Sequence, residues 1–175
     1  DKGWNGSPAF NTSAKDAEKF KTNFNVNQVI YGLPAGTYTV TLTGFYRSGT
    51  AQNDYDTFIV DPAAGNNAFL YASGNEGDTC SVAIKRLSSD MKAFDEETVP
   101  EGWLKPNGAQ AIVPNGMATA GEYFLEGKYQ GNEVTVKLAE GQNLTIGVKK
   151  NTTINDDWTI WTDWQLTYYG ANSSK

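Results

Sequence analysis

The sequence predicts an all-β fold, an antiparallel β-sandwich or barrel with one short helix near residues 115–126. Two observations predict it. Apolar and polar residues alternate with a period of two through most of the chain, as in half-buried strands. Clusters of Gly, Asn, Asp and Pro separate the alternating runs and are typical of turns between short strands. The length of 175 residues fits a single domain, residues 1–175.

The strands follow from the parity of their apolar residues. Residues 18–31 and residues 37–47 each keep their apolar side chains on one parity, and the turn between them contains Pro34, which presets φ, and Gly36, which accepts a positive φ. Threonines at every second position of the second run predict a sheet face that points away from the core. Further strands are predicted at residues 55–61, 69–71, 80–87, 133–138, 144–149 and 158–169.

One segment departs from this alternation. Asn115 is in position to cap a helix, and Met117, Ala120 and Phe124 recur at helical spacing up to Glu126. The short helix is therefore expected here. Residues 88–107 are irregular and form a long predicted loop, and loops of this length in compact domains often carry function.

Composition and charge exclude several classes of function. The chain contains no histidine, which is the usual proton carrier near neutral pH and a common metal ligand. Sites built on serine–histidine, cysteine–histidine or zinc–histidine are therefore excluded. The formal net charge of −6 argues against nucleic acid or an anionic membrane as a partner and leaves neutral or basic ligands. No apolar run approaches the roughly 20 residues that span a bilayer, so membrane insertion is not expected.

Aromatic residues are the main positive indication of function. The chain has five Trp, nine Tyr and eight Phe residues. A Trp or Tyr ring offers a flat apolar face and one hydrogen-bonding edge, which suits core packing and also suits stacking against a sugar ring. We therefore expect a binding protein rather than an enzyme.

The candidate site lies at one end of the predicted sandwich. The strands that end at Arg47 and Lys150 leave similar Gly-containing turns, so the loops after them, residues 48–54 and 151–157, should open at the same end. These loops carry short polar side chains and are flanked by Arg47, Tyr55 and Trp158, and such a mixture of aromatic and polar groups is typical of small-ligand sites. The predicted aromatic platforms are Trp158, Tyr55 and Trp103, and the predicted polar partners are Arg47, Asp54, Asn155 and Asp156. If these do not bind, the expected alternative is the sheet face that carries Trp161 and Tyr169.

The two acidic turns of this end, residues 54–56 and 155–157, also bring together hard oxygen ligands of the kind that calcium prefers. Neither turn matches an EF-hand loop, and polar turns of this composition are usually only turns. We expect no cofactor, with a structural calcium ion as the alternative.

Five stretches of sequence carry a resemblance to a known family. They are NQVIYGLPAGTY at 27–38, GFYR at 44–47, VPNGM at 113–117, LTIGVKK at 144–150 and WTIWTDWQLTYYG at 158–170. They resemble the galactose-binding-like β-sandwich modules of surface and secreted glycan-degrading proteins of gut and rumen Bacteroidetes, and the resemblance covers roughly residues 16–170. It implies a jelly-roll fold and a non-catalytic carbohydrate-binding module, secreted or at the cell surface, linked covalently to other domains of a larger protein.

The chain departs from the family pattern in its last predicted strand. Where the family commonly has Phe-Asp-Asn-Phe, this chain has Trp161-Thr162-Asp163-Trp164. Because neighbouring strand residues face opposite sides, the carboxylate of Asp163 should point away from the family's acid. By the same parity, Trp164 is expected in the core, whereas Trp161 lies either under the helix or on an exposed face.

Two other function classes stay open. A structural spacer or protein-interaction module would bury all its aromatic residues and show no exposed tryptophan. A glycosidase or lyase could use two carboxylates such as Asp54 and Asp163, but one of them would need a raised pKa in an apolar cleft. Nothing in the sequence marks these two acids as a pair.

Overall fold

The computed structural model describes residues 3–74, 79–93, 103–104 and 111–171, with the backbone alone for residues 93, 103, 104 and 111. Within these ranges the elements follow one another in chain order. They are β1 (Ala9–Asn11), β2 (Asp16–Phe20), β3 (Phe24–Ile30), β4 (Gly36–Arg47), α1 (Ala51–Val60), β5 (Ala68–Ser73), β6 (Thr79–Ala83), a short 3-10 helix (Leu87–Asp90), β7 (Lys92–Ala93), β8 (Trp103–Leu104), β9 (Ala111–Ile112), α2 (Met117–Leu125), β10 (Asn132–Leu138), β11 (Leu144–Lys150) and β12 (Trp158–Tyr168).

Two antiparallel sheets form the sandwich and confirm the predicted all-β fold. The first sheet has the strand order β1-β2-β12-β4-β10, and the second has the order β3-β11-β5-β6. The short strands β7, β9 and β8 form a third, small sheet. No helix in the described ranges is long and apolar enough to cross a membrane.

The main core lies between the two large sheets. Tyr38, Val40, Leu42 and Tyr46 of β4 are buried there, as the period-two pattern predicts. A second cluster covers the other face of the first sheet, where Phe45 packs against residues of β12 and α2. The first sheet is therefore apolar on both faces near Arg47, because alternate residues of β4 enter different cores.

A helix, α1, takes the place of residues 51–54 of the predicted loop after Arg47 and of most of the strand predicted at residues 55–61. Thr50 is the N-cap, and its side-chain oxygen accepts a hydrogen bond from the backbone N–H of Asn53 at 3.2 Å. Gln52 then donates to Asp56 at 2.9 Å, one helical turn apart. The strand prediction was wrong because a short apolar run fits either period, and the capping chemistry of Thr50 decides for a helix.

The predicted helix near residues 115–126 is present as α2, but its N-cap is Gly116. Asn115 does not cap the helix. Its side-chain oxygen instead accepts a hydrogen bond from Nη1 of Arg47 at 3.2 Å.

A bulge interrupts β12 and changes the parity on which the sequence prediction depended. The register against β4 shifts between Thr162 and Gln165, and Asp163 has a φ of 55°. The extra residue lets Trp161 and Trp164 pack against the same core between the sheets, although they lie three positions apart. Trp161 is therefore buried, and it lies neither under the helix nor on an exposed face.

Candidate functional site

The two predicted loops do meet at one end of the sandwich. The guanidinium group of Arg47 joins them, because Nε donates to the carbonyl of Gly49 at 2.9 Å and Nη2 donates to the carbonyl of Asp156 at 2.8 Å. Arg47 is itself buried, and burial lowers the pKa of its guanidinium against the opposing effect of nearby carboxylates. Its role at this end is thus to hold the loops together.

The aromatic platforms predicted at this end are buried. Trp158 is 3% exposed, its ring contacts Phe45 edge to face at 5.1 Å, and its indole N–H donates to Glu18 at 2.5 Å. Tyr55 is 9% exposed on the inner side of α1. Neither ring can offer a face to a ligand, because both serve the second core. The side chain of the third platform, Trp103, lies outside the described part of the chain.

The polar partners predicted at this end also have structural roles. The carboxylate of Asp54 accepts hydrogen bonds from Arg86 Nε at 2.7 Å, from the backbone N–H of Ser48 at 2.7 Å and from the hydroxyl of Ser88 at 2.6 Å. Its exposed fraction is 0%. Asp54 therefore joins the start of α1 to the short 3-10 helix and is not available to a ligand.

Of the predicted polar partners, Asn155 and Asp156 lie at or near the protein surface. Asn155 is exposed. Asp156 forms an ion pair with Lys21 at 2.7 Å, and this hydrogen bond and charge lower the pKa of Asp156. A shallow cavity of about 250 Å³ remains nearby, where Arg47 lies between the rings of Phe20 and Trp158 at 5.8 Å and 5.3 Å.

The acidic turns are occupied by protein cations and hydrogen-bond donors. Lys150 pairs with Asp157, and the hydroxyl of Tyr46 donates to the same carboxylate at 2.9 Å. Among the described residues, no group of three acidic or cysteine side chains could hold a metal ion. Calcium binding stays a prediction.

A different part of the molecule forms an aromatic cleft of about 410 Å³. The cleft lies at the edge of the sandwich where the pairing of β2 with β12 ends at Trp161. Four aromatic residues line it, together with polar residues of the β1–β2 turn and the bulge of β12. The aromatic residues are Trp4, Phe10, Trp161 and Trp164.

The amino-terminal segment closes one side of this cleft. Asn5 exchanges two backbone hydrogen bonds with Asn27 of the second sheet, at 2.8 and 3.2 Å, whereas β1 joins the first sheet. The segment thus crosses from one sheet to the other. It brings the ring of Trp4 to 4.8 Å from the ring of Trp164, and both rings are half-buried.

The β1–β2 turn forms the other side. The side chain of Asn11 accepts hydrogen bonds from the backbone N–H groups of Ser13 and Ala14 at 3.1 and 2.9 Å, which shapes the turn. The hydroxyl of Thr162 donates to the carbonyl of Lys15 at 2.6 Å and ties the turn to β12. These bonds place the start of β2 against the cleft.

Asp16, the first residue of β2, lines the cleft and is 3% exposed. Neither oxygen of its carboxylate has a hydrogen-bond partner among the described residues. Burial, with a smaller contribution from Glu18, raises the pKa of Asp16 to about 7, and its own backbone N–H only partly opposes this rise. A buried carboxylate that receives no hydrogen bond from another residue is rare in folded proteins, and such groups mark candidate functional sites.

Sequence reasoning singled out two residues of this cleft, Trp161 on the alternative sheet face and Asp163 as one acid of a possible catalytic pair. It missed Trp4, and it also missed Trp164, which was expected in the core. It also missed Asp16, because an acid at the start of an amphipathic strand has no distinctive pattern. The sequence therefore contained no signal that separates Asp16 from the exposed acids of the chain.

No protein-family model matches the chain, and no curated protein matches it. Among solved structures, the chain is similar to TmCBM61 in complex with beta-1,4-galactotriose, with a TM-score of 0.49 and 14% identity over 96% of this chain and 90% of that chain. It is also similar to the xyloglucanase domain of NopAA, a type three effector from Sinorhizobium fredii, in complex with cellobiose. That likeness has a TM-score of 0.37 and 9% identity over 95% of this chain and 93% of that chain. Both likenesses are distant, so we take the binding chemistry from the residues of the cleft.

Proposed function

We propose that this chain is a non-catalytic carbohydrate-binding module and that the aromatic cleft at the sandwich edge holds a sugar ring. The observation that carries the proposal is the combination of half-buried Trp4 and Trp164 rings with the unpaired carboxylate of Asp16 in one cavity. Binding pockets are typically apolar and aromatic with a few convergent polar groups. A sugar ring has an apolar face for the indoles and hydroxyl groups for the acid.

The same cleft offers further polar groups at its rim. Lys15 and Asp163 are both exposed there, and Asn11 and Thr12 lie on the turn between β1 and β2. Exposed short polar side chains around an aromatic floor can exchange hydrogen bonds with several hydroxyl groups at once. The arrangement therefore suits a hydroxyl-rich ligand better than a purely apolar one.

We propose that the chain acts as one domain of a larger secreted or cell-surface protein of a Bacteroidetes species and brings an attached enzyme or surface protein to its glycan. The resemblance of the sequence to modules of this kind supports this setting. A non-catalytic role is supported by the absence of histidine and by the engagement of Asp54. Asp54 is paired with Arg86 and is not available as one member of a catalytic carboxylate pair.

A structural spacer remains the second candidate, and one observation favours it. Tyr55, Trp158 and Trp161 are all buried, as a spacer requires. Trp4 and Trp164 distinguish the two functions, because a spacer has no need for two half-exposed indoles beside an unpaired acid.

The test is a glycan microarray followed by calorimetric titration of each glycan that binds. We expect Trp164→Ala to weaken binding by about 1–3 kcal/mol, as for loss of a stacking aromatic. Tyr31→Ala is the matched control, because Tyr31 is 72% exposed and does not line the cleft. Absence of binding to every glycan, or full affinity in the Trp164 variant, would refute the proposal.

A further inference from the structure

We propose that the cleft selects a sugar residue that carries an ammonium group, with the carboxylate of Asp16 as its counter-ion and the indoles of Trp4 and Trp164 beside it. This inference rests on the proposed carbohydrate-binding function and names the class of sugar. An amino sugar with a free, protonated amine is such a residue.

The first argument is the unpaired state of Asp16. Buried polar groups in folded proteins nearly always have a hydrogen-bond partner, and buried charges are paired. Asp16 is 3% exposed, and among the described residues no other residue provides a hydrogen-bond donor or a paired cation for its two carboxylate oxygens. A ligand that brings a positively charged donor provides both at once.

The second argument is the balance of charge around the cleft. Asp16 and Asp163 line the cavity, and Glu18 lies close enough to Asp16 to raise its pKa. Lys15 is the one basic residue in the cavity lining, and within the described ranges it forms no ion pair with either lining acid. The two lining acids thus exceed the single lining base, which favours a cationic ligand.

The third argument comes from the aromatic rings. Indole faces attract cations, and Trp is the strongest of the aromatic side chains in this respect. In the described part of the chain, Lys or Arg groups lie over the rings of Phe20, Trp158, Tyr123 and Tyr71. Among the described residues, no such contact involves Trp4 or Trp164, the two half-buried indoles of the cleft, so none of these cations covers either ring.

A hydroxyl group would serve Asp16 less well. A hydroxyl group and an ammonium group both form a charge-assisted hydrogen bond with a carboxylate, but only the ammonium group brings a positive charge. A hydroxyl donor would also leave the buried negative charge without compensation. Because the carboxylate is covered by its neighbours, we expect it to rotate about its side-chain bonds when the ammonium group enters the cleft.

The experiment compares three β-1,4-linked tetrasaccharides that differ only at carbon 2 of each ring. They are the tetramers of glucosamine, N-acetylglucosamine and glucose, which carry an ammonium, an acetamide and a hydroxyl group there. Calorimetric titration of the chain near neutral pH should give at least about tenfold tighter binding of the glucosamine tetramer than of the other two. Tetralysine is a fourth arm, because it carries ammonium groups without sugar rings, and it should bind at least about tenfold more weakly than the glucosamine tetramer.

Asp16→Asn keeps the shape of the side chain and removes its charge. This variant should lose the preference, so that the glucosamine and glucose tetramers bind within about twofold of each other, while binding of the glucose tetramer is retained. Glu140→Gln, at an exposed position that does not line the cleft, is the control and should keep most of the preference.

Each outcome decides the inference. Equal binding of the three tetramers by the unmodified chain, or tighter binding of tetralysine than of any sugar, would overturn it even if Asp16→Asn failed to fold. If the chain binds other glycans on the microarray but none of these tetramers, the inference fails and the proposed function stands. If no sugar binds in either experiment, both fail together.

Discussion

The ammonium group of Lys150 and the carboxylate of Asp157 form an ion pair that is buried at the base of the loop between β11 and β12. Their side chains are 1% and 2% exposed, and Tyr46 donates a hydrogen bond to the same carboxylate at 2.9 Å. The pair closes a loop of polar residues, and it joins the two sheets, since Lys150 ends a strand of one and Asp157 precedes a strand of the other.

Lys150→Met should lower the free energy of unfolding by about 3–5 kcal/mol, because it leaves the charge of Asp157 buried and uncompensated. Urea denaturation measures this change. Lys21→Met is the matched control, since Lys21 pairs with Asp156 at an exposed site and should cost about 1 kcal/mol or less. Equal losses in the two variants would contradict the assignment of a buried pair.

Asp16→Asn should stabilise the chain at alkaline pH and not near pH 4. The pKa of Asp16 is raised from 3.8 to about 7, so between these values the folded state holds a proton that the unfolded state has released. The free energy of unfolding therefore falls by on the order of 4 kcal/mol as the pH rises through this window, and it stays low above it. The difference in unfolding free energy between the variant and the parent, followed from acid to alkaline pH, measures the effect. A difference in unfolding free energy that does not change with pH would exclude a raised pKa for Asp16.

Thr50→Ala should lower the free energy of unfolding by about 1 kcal/mol, because it removes the N-cap of α1. Thr152→Ala, in the exposed loop after β11, is the control and should change stability by about 0.5 kcal/mol or less. Chemical denaturation compares the two. A neutral Thr50 variant would argue that α1 does not begin where the structure places it.

Trp158→Ala should act on stability, not on ligand affinity. Its ring fills the second core beside Phe45, so its removal leaves a cavity and costs about 3–5 kcal/mol. Thermal melts should show a large loss, whereas any folded fraction should bind glycan with the affinity of the parent. Reduced affinity in a stable variant would instead support the site that the sequence predicted at this end.

The isolated chain should release no reducing sugar and no unsaturated product from plant or host polysaccharides. The expectation rests on the missing histidine and on the engagement of Asp54 by Arg86 and Ser88. A reducing-end assay of the purified chain, with an active glycosidase as the positive control, measures it. Product above the blank would place the chain among enzymes.

Much of the fold could be predicted from local pattern. The alternation of Tyr38, Val40, Leu42 and Tyr46 predicts β4 and its buried face, because a strand places every second side chain on one side. Helical spacing predicts α2 within a residue or two of its ends. The sequence also predicted that the loops after Arg47 and Lys150 meet. Two strands that leave equivalent turns in the same direction end at the same end of a sandwich, so the loops that follow them lie close together.

The candidate site was decided by tertiary structure. The sequence pattern of polar loops flanked by aromatic residues does not show whether the rings face solvent or a core. Only the packing of the second core shows that Trp158 and Tyr55 are buried. The bulge at Asp163 adds one residue to β12 and turns Trp161 and Trp164 toward the same core, which no fixed parity can predict. Asp16 differs from the other acids because it is buried at the cleft that the amino-terminal segment and β12 line. Its burial therefore depends on residues that are distant in the sequence. Sequence alone thus determined the period-two pattern of the main strands, whereas the environment of each side chain depended on contacts between segments far apart in sequence.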